Sequence, residues 1–193
     1  MTKETSDKSS KQHKYLWGIR YDALYRCRLS VLYNRKRERF FDLCDGLTKS
    51  AALIFGSAAF AFASAGAPLF GQIASSVVAV TAAFSLVIGY AAKARHHASL
   101  AEQFKRIEPD VLLGGERDFT EDQINKWNAD IATVESGEPL SLPVVVLICE
   151  NELHIADKRG KVVELPLWKR FIGQFIYLNY DQGKLPHREV CAI

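Results

Sequence analysis

The chain has 193 residues, 48% of them hydrophobic and 24% charged, with a formal net charge of +3. That length allows one ordinary domain, or a small membrane protein with an appended domain. Its four cysteines (Cys27, Cys44, Cys149 and Cys191) form no CxxC pair, which excludes a dense disulfide scaffold and reads as reduced thiols. The charge is unevenly spread. Residues 1–49 hold 12 Lys/Arg against 6 Asp/Glu, and residues 93–193 hold 13 against 16. Between them, Ser50 to Ala92 runs for 43 residues without Asp, Glu, Lys, Arg or His, and Gln72 is its one amide.

In chain order, residues 1–12 are polar and read as a disordered tail. They contain no apolar run of the kind a signal peptide carries. Residues 13–110 read as stalk helices plus a hairpin. Leu16, Ile19, Tyr25, Leu29, Leu32, Phe40, Cys44 and Leu47 recur at helical spacing. Basic residues, including Arg28, Arg35, Lys36, Arg37 and Arg39, occupy the other faces, as solvated charge or as a surface for anionic headgroups.

The uncharged stretch divides near Pro68 into limbs of about 51–67 and 73–92, with Gly66, Pro68 and Gly71 as turn residues. A spanning helix needs about 17–25 residues to cross roughly 30 Å of hydrocarbon, so each limb is long enough. A single 43-residue helix would be about 64 Å long, twice what a bilayer needs. The sequence therefore predicts an all-α membrane protein with a two-helix transmembrane hairpin. A hairpin buried in a soluble protein is the rival, but soluble core helices usually keep one polar edge.

Arg35, Lys36, Arg37, Arg39 and Lys49 precede the hairpin; Lys93 and Arg95 follow it. Because Lys and Arg are retained on the cytoplasmic side, both termini are expected there, in a multi-pass protein of the bacterial inner membrane. Gly56, Ser57, Ala61, Ser75, Ala79 and Ala83 are small residues at spacings that let helices approach closely in lipid. We expect them to pack the hairpin. So thin a hairpin cannot enclose a pore alone, so conduction would require several copies.

The helical period continues through Ala94, Ala98, Ala101, Phe104 and Ile107 to a stop near Pro109 and Gly114-Gly115. This segment is expected to lie antiparallel to the helix that precedes the hairpin. Residues 116–180 read as a mainly helical cytoplasmic region. Thr120 and Gln123 form a capping box, and Ile124, Trp127 and Ile131 make an apolar stripe offered to a partner. Pro143 to Ala156 suits either strand or helix and is read as helix to match its neighbours. A last helix is predicted over Pro166–Asn179, with Trp168, Phe171, Ile172, Phe175 and Ile176 on one face. Residues 181–193 read as a loose tail.

No phosphate loop, nucleophile elbow, zinc-protease helix or CxxC pair is present, so no catalytic residue, cofactor or metal is expected. His96 and His97 with Cys149 or His154, and Cys149 with Asn151 and Glu152, are weak constellations without fixed spacing. A nucleic-acid surface over residues 20–39, where Tyr21, Tyr25 and Tyr33 interleave with arginines, has low specificity. No nucleic-acid partner is expected.

Tyr33-Asn34-Arg35-Lys36-Arg37-Glu38-Arg39-Phe40 leads into the first limb, and the second continues as His97-Ala98-Ser99-Leu100-Ala101-Glu102-Gln103-Phe104-Lys105-Arg106-Ile107. With Cys149-Glu150-Asn151-Glu152, this order resembles the SLATT superfamily of bacterial two-helix membrane effector domains, over residues 15–155. The resemblance implies a helix at Cys149, self-association and membrane perturbation or pore formation in prokaryotic anti-phage conflict. It also implies a trigger. With no fused sensor domain evident, that trigger would be a sensor or signal-generating protein encoded nearby, or a diffusible ligand. The alternative is a membrane-anchored scaffold that binds a protein partner and forms no pore.

Overall fold

The structure is a computed structural model that describes residues 2–115, 119–158, 161–178 and 187–189. It is predominantly helical: α1 (Thr2–Ser64), α2 (Pro68–Ile88), α3 (Tyr90–Leu113), α4 (Glu121–Glu135), α5 (Pro143–Ala156) and α6 (Leu167–Ile172). Two short strands, β1 (Lys161–Val163) and β2 (His187–Glu189), pair antiparallel. The chain forms two compact units. Met1–Asn34 with Ser99–Ile193 makes one, here the core unit; Arg35–Ala98 makes the other, the hairpin unit.

In the core unit, α1 and α3 lie antiparallel. Arg20 donates to the Val111 carbonyl at 3.2 Å, and Arg28 pairs with Glu108 at 2.9 Å. Their shared seam is Ala23, Leu24 and Cys27 against Phe104, Ile107 and Val111. Helix α4 completes this core. Its capping box forms as expected: the Gln123 N–H donates to Thr120 Oγ1 at 3.3 Å and the Thr120 N–H to Gln123 Oε1 at 2.8 Å. Ile124, Trp127 and Ile131, expected to face a partner, are instead 2%, 4% and 0% exposed, packed in this core. The stripe is real, but the seam between α1 and α3 covers it, which removes its apolar surface from water at no cost in a second protein.

Segment 143–156 is a helix with Pro143 in its first turn, where a missing N–H costs nothing. Val145 and Cys149 of α5 pack against Tyr33, and the Leu142 N–H donates to the Tyr33 hydroxyl at 3.1 Å. Asn151 then serves as a stand-in for a strand. Its Nδ2 donates to the Val163 carbonyl at 2.8 Å, and its Oδ1 accepts from the Val163 N–H at 2.9 Å.

Helix α3 passes through Pro109 and stops at Leu113, beside Gly114-Gly115 as expected. Three expectations are corrected. The backbone of residues 2–12, read as disordered, is helical, because adding residues to an existing helix avoids the cost of nucleation. The last helix spans only Leu167–Ile172. Gly173 ends it, sitting so close to α5 that an added Cβ would lie 2.5 Å from Val144 Cβ. Within the supposed loose tail, His187–Glu189 pairs with Lys161–Val163; the rest of that tail lies outside the described residues.

Gly114 shows how tight the core is. A Cβ there would lie 2.6 Å from Trp127 Cη2. Gly114→Ala should therefore lower stability by about 1–3 kcal/mol, the usual cost of overpacking, seen as a reduced midpoint in chemical denaturation of the detergent-solubilised protein.

Candidate functional site

The hairpin unit is built on α1 from Arg35, on α2, and on the start of α3. Gly66, at φ 73°, closes the turn between α1 and α2, and the Ala67 N–H donates to the Phe62 carbonyl at 3.0 Å. Pro68 opens α2. The second limb thus starts earlier than the sequence suggested, and Gly71 belongs to its packing face. A Cβ on Gly71 would lie 3.3 Å from the Ala59 carbonyl oxygen. The second limb is also interrupted. Gly89 adopts φ 64°, a left-handed conformation that costs side-chain-bearing residues but not glycine, so α2 stops at Ile88 and α3 begins at Tyr90.

Most of the hairpin's bulky apolar side chains point away from the protein. Leu53, Phe60, Leu69, Phe84, Leu86 and Val87 are all at least 60% exposed. The helical stretches that carry the limbs, Lys11–Ser64 and Leu69–Leu113, are each long and apolar enough to cross a membrane, and of their most apolar windows none of the first and 6% of the second is buried. A core helix of a soluble domain passes the same length test only by being covered. Among the described residues, nothing covers these two.

The expected packing residues divide. Gly56 is half-buried, whereas Ser57, Ala61, Ser75, Ala79 and Ala83 are exposed. The buried or half-buried positions on α2 are instead Gly71, Ala74, Val77, Val78, Thr81, Ser85 and Ile88. Both sets repeat at helical spacing; which one faces α1 is set by where the turn releases the chain. The Ser57 and Ser75 hydroxyls donate to the carbonyls of Leu53 and Gly71, one turn back, at 2.8 and 2.9 Å.

The basic residues at the hairpin base fall into three kinds. Arg35 pairs with Glu38 at 2.8 Å, and Lys49 with Asp45 at 2.6 Å. Arg37 is buried, with its guanidinium 4.6 Å from the Phe41 ring centroid and 5.1 Å from that of Phe40; Lys93 lies 5.7 Å from Phe41. Lys36 is half-buried, and Arg39 and Arg95 are exposed. His97 is buried and stacks on Phe41 at 5.6 Å and 15°. Two cations and an imidazole therefore share one aromatic ring, an arrangement that holds α1 to α3 through cation–π attraction. Sequence reasoning had isolated the charges and the His pair but not Phe41, which the helical period alone does not distinguish from its neighbours.

In the core unit, the buried polar residues were also missed. Arg20 is 6% exposed, its cation 5.8 Å from the Phe119 ring, and Asn34 donates to the Ser30 carbonyl and to Glu138. Burial raises the Glu138 carboxyl above its ordinary range, and Asn34 partly opposes that. Arg26 binds both carboxylate oxygens of Glu135, at 2.8 and 2.6 Å. Apart from Asn34 and Ser30, one turn apart, these partners are about a hundred residues apart in sequence, so no local signal marks them. A cleft of about 510 Å³ is lined by Asn151, Glu152, Glu164 and Arg170 among apolar neighbours. Cys27 and Cys149 are buried, and burial pushes Cys27 up to about 11, which keeps it protonated and unreactive.

No protein family, curated protein or solved structure matches this chain.

Burial pushes His97 down to about 4; Arg37, His96 and Lys93 add to the effect and Glu38 opposes it. An unfolded chain would take up that proton near the ordinary value of 6.5. Between pH 6.5 and 4 the unfolded state therefore binds more protons, and stability falls as pH falls. Thermal unfolding in detergent should show the midpoint dropping through that window. His97→Gln should flatten the dependence while lowering the midpoint at pH 7.

Proposed function

We propose that this chain is an integral membrane effector: its hairpin spans a bilayer, and several copies assemble to perturb that membrane in a prokaryotic defence response. The observation that carries the membrane part is the outward display of bulky apolar residues on both limbs, with no cover from the described residues. Lipid is the solvent such a surface fits. The uncharged helical part of α1, Ser50–Ser64, is about 22 Å long at 1.5 Å per residue, short of the roughly 30 Å of hydrocarbon. Leu43 and Leu47, each 61% exposed, extend its apolar surface, and the Lys49–Asp45 pair leaves little net charge beside them. Lys49 reaches the headgroups by snorkelling.

Both bases of the hairpin are basic and its turn is uncharged, which supports cytoplasmic termini in a bacterial inner membrane. The effector role rests on the likeness to SLATT domains. The trigger in this reading is a partner or signal acting on the core unit, and no chemistry is assigned to the chain.

One observation favours the scaffold as a second reading. Leu167, Trp168, Phe171, Phe175, Ile176 and Tyr177 are all more than half exposed on the core unit. Such a surface suits a protein partner better than the buried Ile124, Trp127 and Ile131 do.

Two measurements test these readings. The protein should stay with membranes after alkaline carbonate extraction, and release would remove the proposal. Induced expression, with the trigger present, should depolarise cells. Replacing residues 51–92 with an unrelated membrane anchor should abolish that effect; an unchanged phenotype would favour the scaffold.

A further inference from the structure

Residues 167–177 of the core unit carry bulky apolar side chains on the outside. Leu167, Trp168, Phe171, Phe175, Ile176 and Tyr177 are each more than half exposed. The packing of Gly173 keeps them there. A Cβ on Gly173 would lie 2.5 Å from Val144 Cβ, so it is backbone, and not the aromatic face, that meets α5. The exposed rings instead gather on the surface, with the Phe171 and Phe175 centroids 5.6 Å apart.

Three observations point to one occupant for this surface. The first is charge. Residues 165–180 contain no Asp or Glu, and their two charges, Lys169 and Arg170, are both positive. The Lys169 ammonium lies 5.5 Å from the Trp168 ring centroid, so cation and aromatic share one place on the surface. Basic side chains set among Trp, Phe and Tyr suit the boundary between anionic headgroups and acyl chains, where an apolar ring is sheltered and a polar edge stays wet.

The second is position within the core unit. Gly173 rests on Val144, in the first turn of α5. The next residue, Val145, packs against Tyr33, and the Leu142 N–H donates to the Tyr33 hydroxyl. Asn34 is the last residue of the core unit before α1 enters the hairpin unit. The aromatic segment is therefore docked at the end of the core unit from which the hairpin leaves. The third is tethering. A hairpin that spans a bilayer holds lipid beside this surface, and a contact made within one tethered molecule needs little affinity of its own.

We propose that residues 167–177 make a second, shallow membrane contact: Trp168, Phe171, Phe175 and Tyr177 enter the headgroup layer of an anionic bilayer, and Lys169 and Arg170 hold them there by charge. This rests on the hairpin spanning a bilayer.

Tryptophan emission of the full chain, reconstituted in vesicles with lipids brominated near the headgroup, tests it. Quenching should be stronger in vesicles rich in phosphatidylglycerol than in phosphatidylcholine vesicles, and added salt should shrink the difference. Trp168→Phe keeps an aromatic ring but removes the emitter, and it should lose most of the lipid-dependent quenching. Lys169→Glu combined with Arg170→Glu should lower quenching about two-fold or more in the anionic vesicles and leave the neutral ones unchanged. Equal quenching of native and Trp168→Phe protein, in material that resists carbonate extraction, would overturn the contact, leave the hairpin standing and return this surface to a protein partner. Trp168 quenching that ignores lipid charge would overturn the anionic assignment. If carbonate releases the protein, the hairpin reading fails first and the contact loses its tether with it.

Discussion

The arrangement of the hairpin unit depends on one constraint: apolar side chains on two adjacent helices that this chain does not itself bury. Two thin helices joined by a tight turn have little facing surface, and Gly71 against Ala59 brings them closer only by removing side chains. Most bulky residues in such a pair point outward. The chain therefore needs a surrounding of low polarity. Once that is granted, the absence of charge from Ser50 to Ala92 and the locally satisfied serine hydroxyls become parts of one problem.

At the base of the hairpin the same need is met in the opposite way. Arg37 and Lys93 are drawn onto Phe41, and His97 stacks on the same ring. An aromatic face attracts cations through its negative quadrupole. His97 stays neutral there because it is buried and the Arg37 and Lys93 cations oppose its protonation. The core unit is built by ordinary means, a seam of apolar residues between antiparallel helices capped by α4 and bordered by partly exposed ion pairs. Pairs of that kind contribute little each. Burial of Phe104, Ile131 and Trp127 carries the stability.

Periodicity and charge exclusion made much of this legible. The helices, the turn near Pro68, the capping box at Thr120 and the antiparallel return of α3 all leave local marks, because a helix imposes its own period on the residues it buries. Direction is harder to read. The stripe of Ile124, Trp127 and Ile131 was visible as apolar, but whether it faced a partner or α1 depended on residues a hundred positions away. Trp168, Phe171 and Phe175 formed an equally plausible inward face and point outward, because Gly173 docks the segment from its other side.

By itself, the sequence determined that a long uncharged tract must fold as two helices with basic ends, since backbone groups in apolar surroundings have to satisfy one another within the segment. Only the tertiary structure decided which face of each helix is covered. Gly66 and Gly89 set the rotation at which α2 leaves α1 and passes into α3, and that rotation turned Ser75, Ala79 and Ala83 outward while bringing Gly71, Ala74 and Thr81 in. Two stripes of small residues on one helix look alike in a linear sequence. A rotation about the helix axis, fixed by two left-handed glycines, tells them apart.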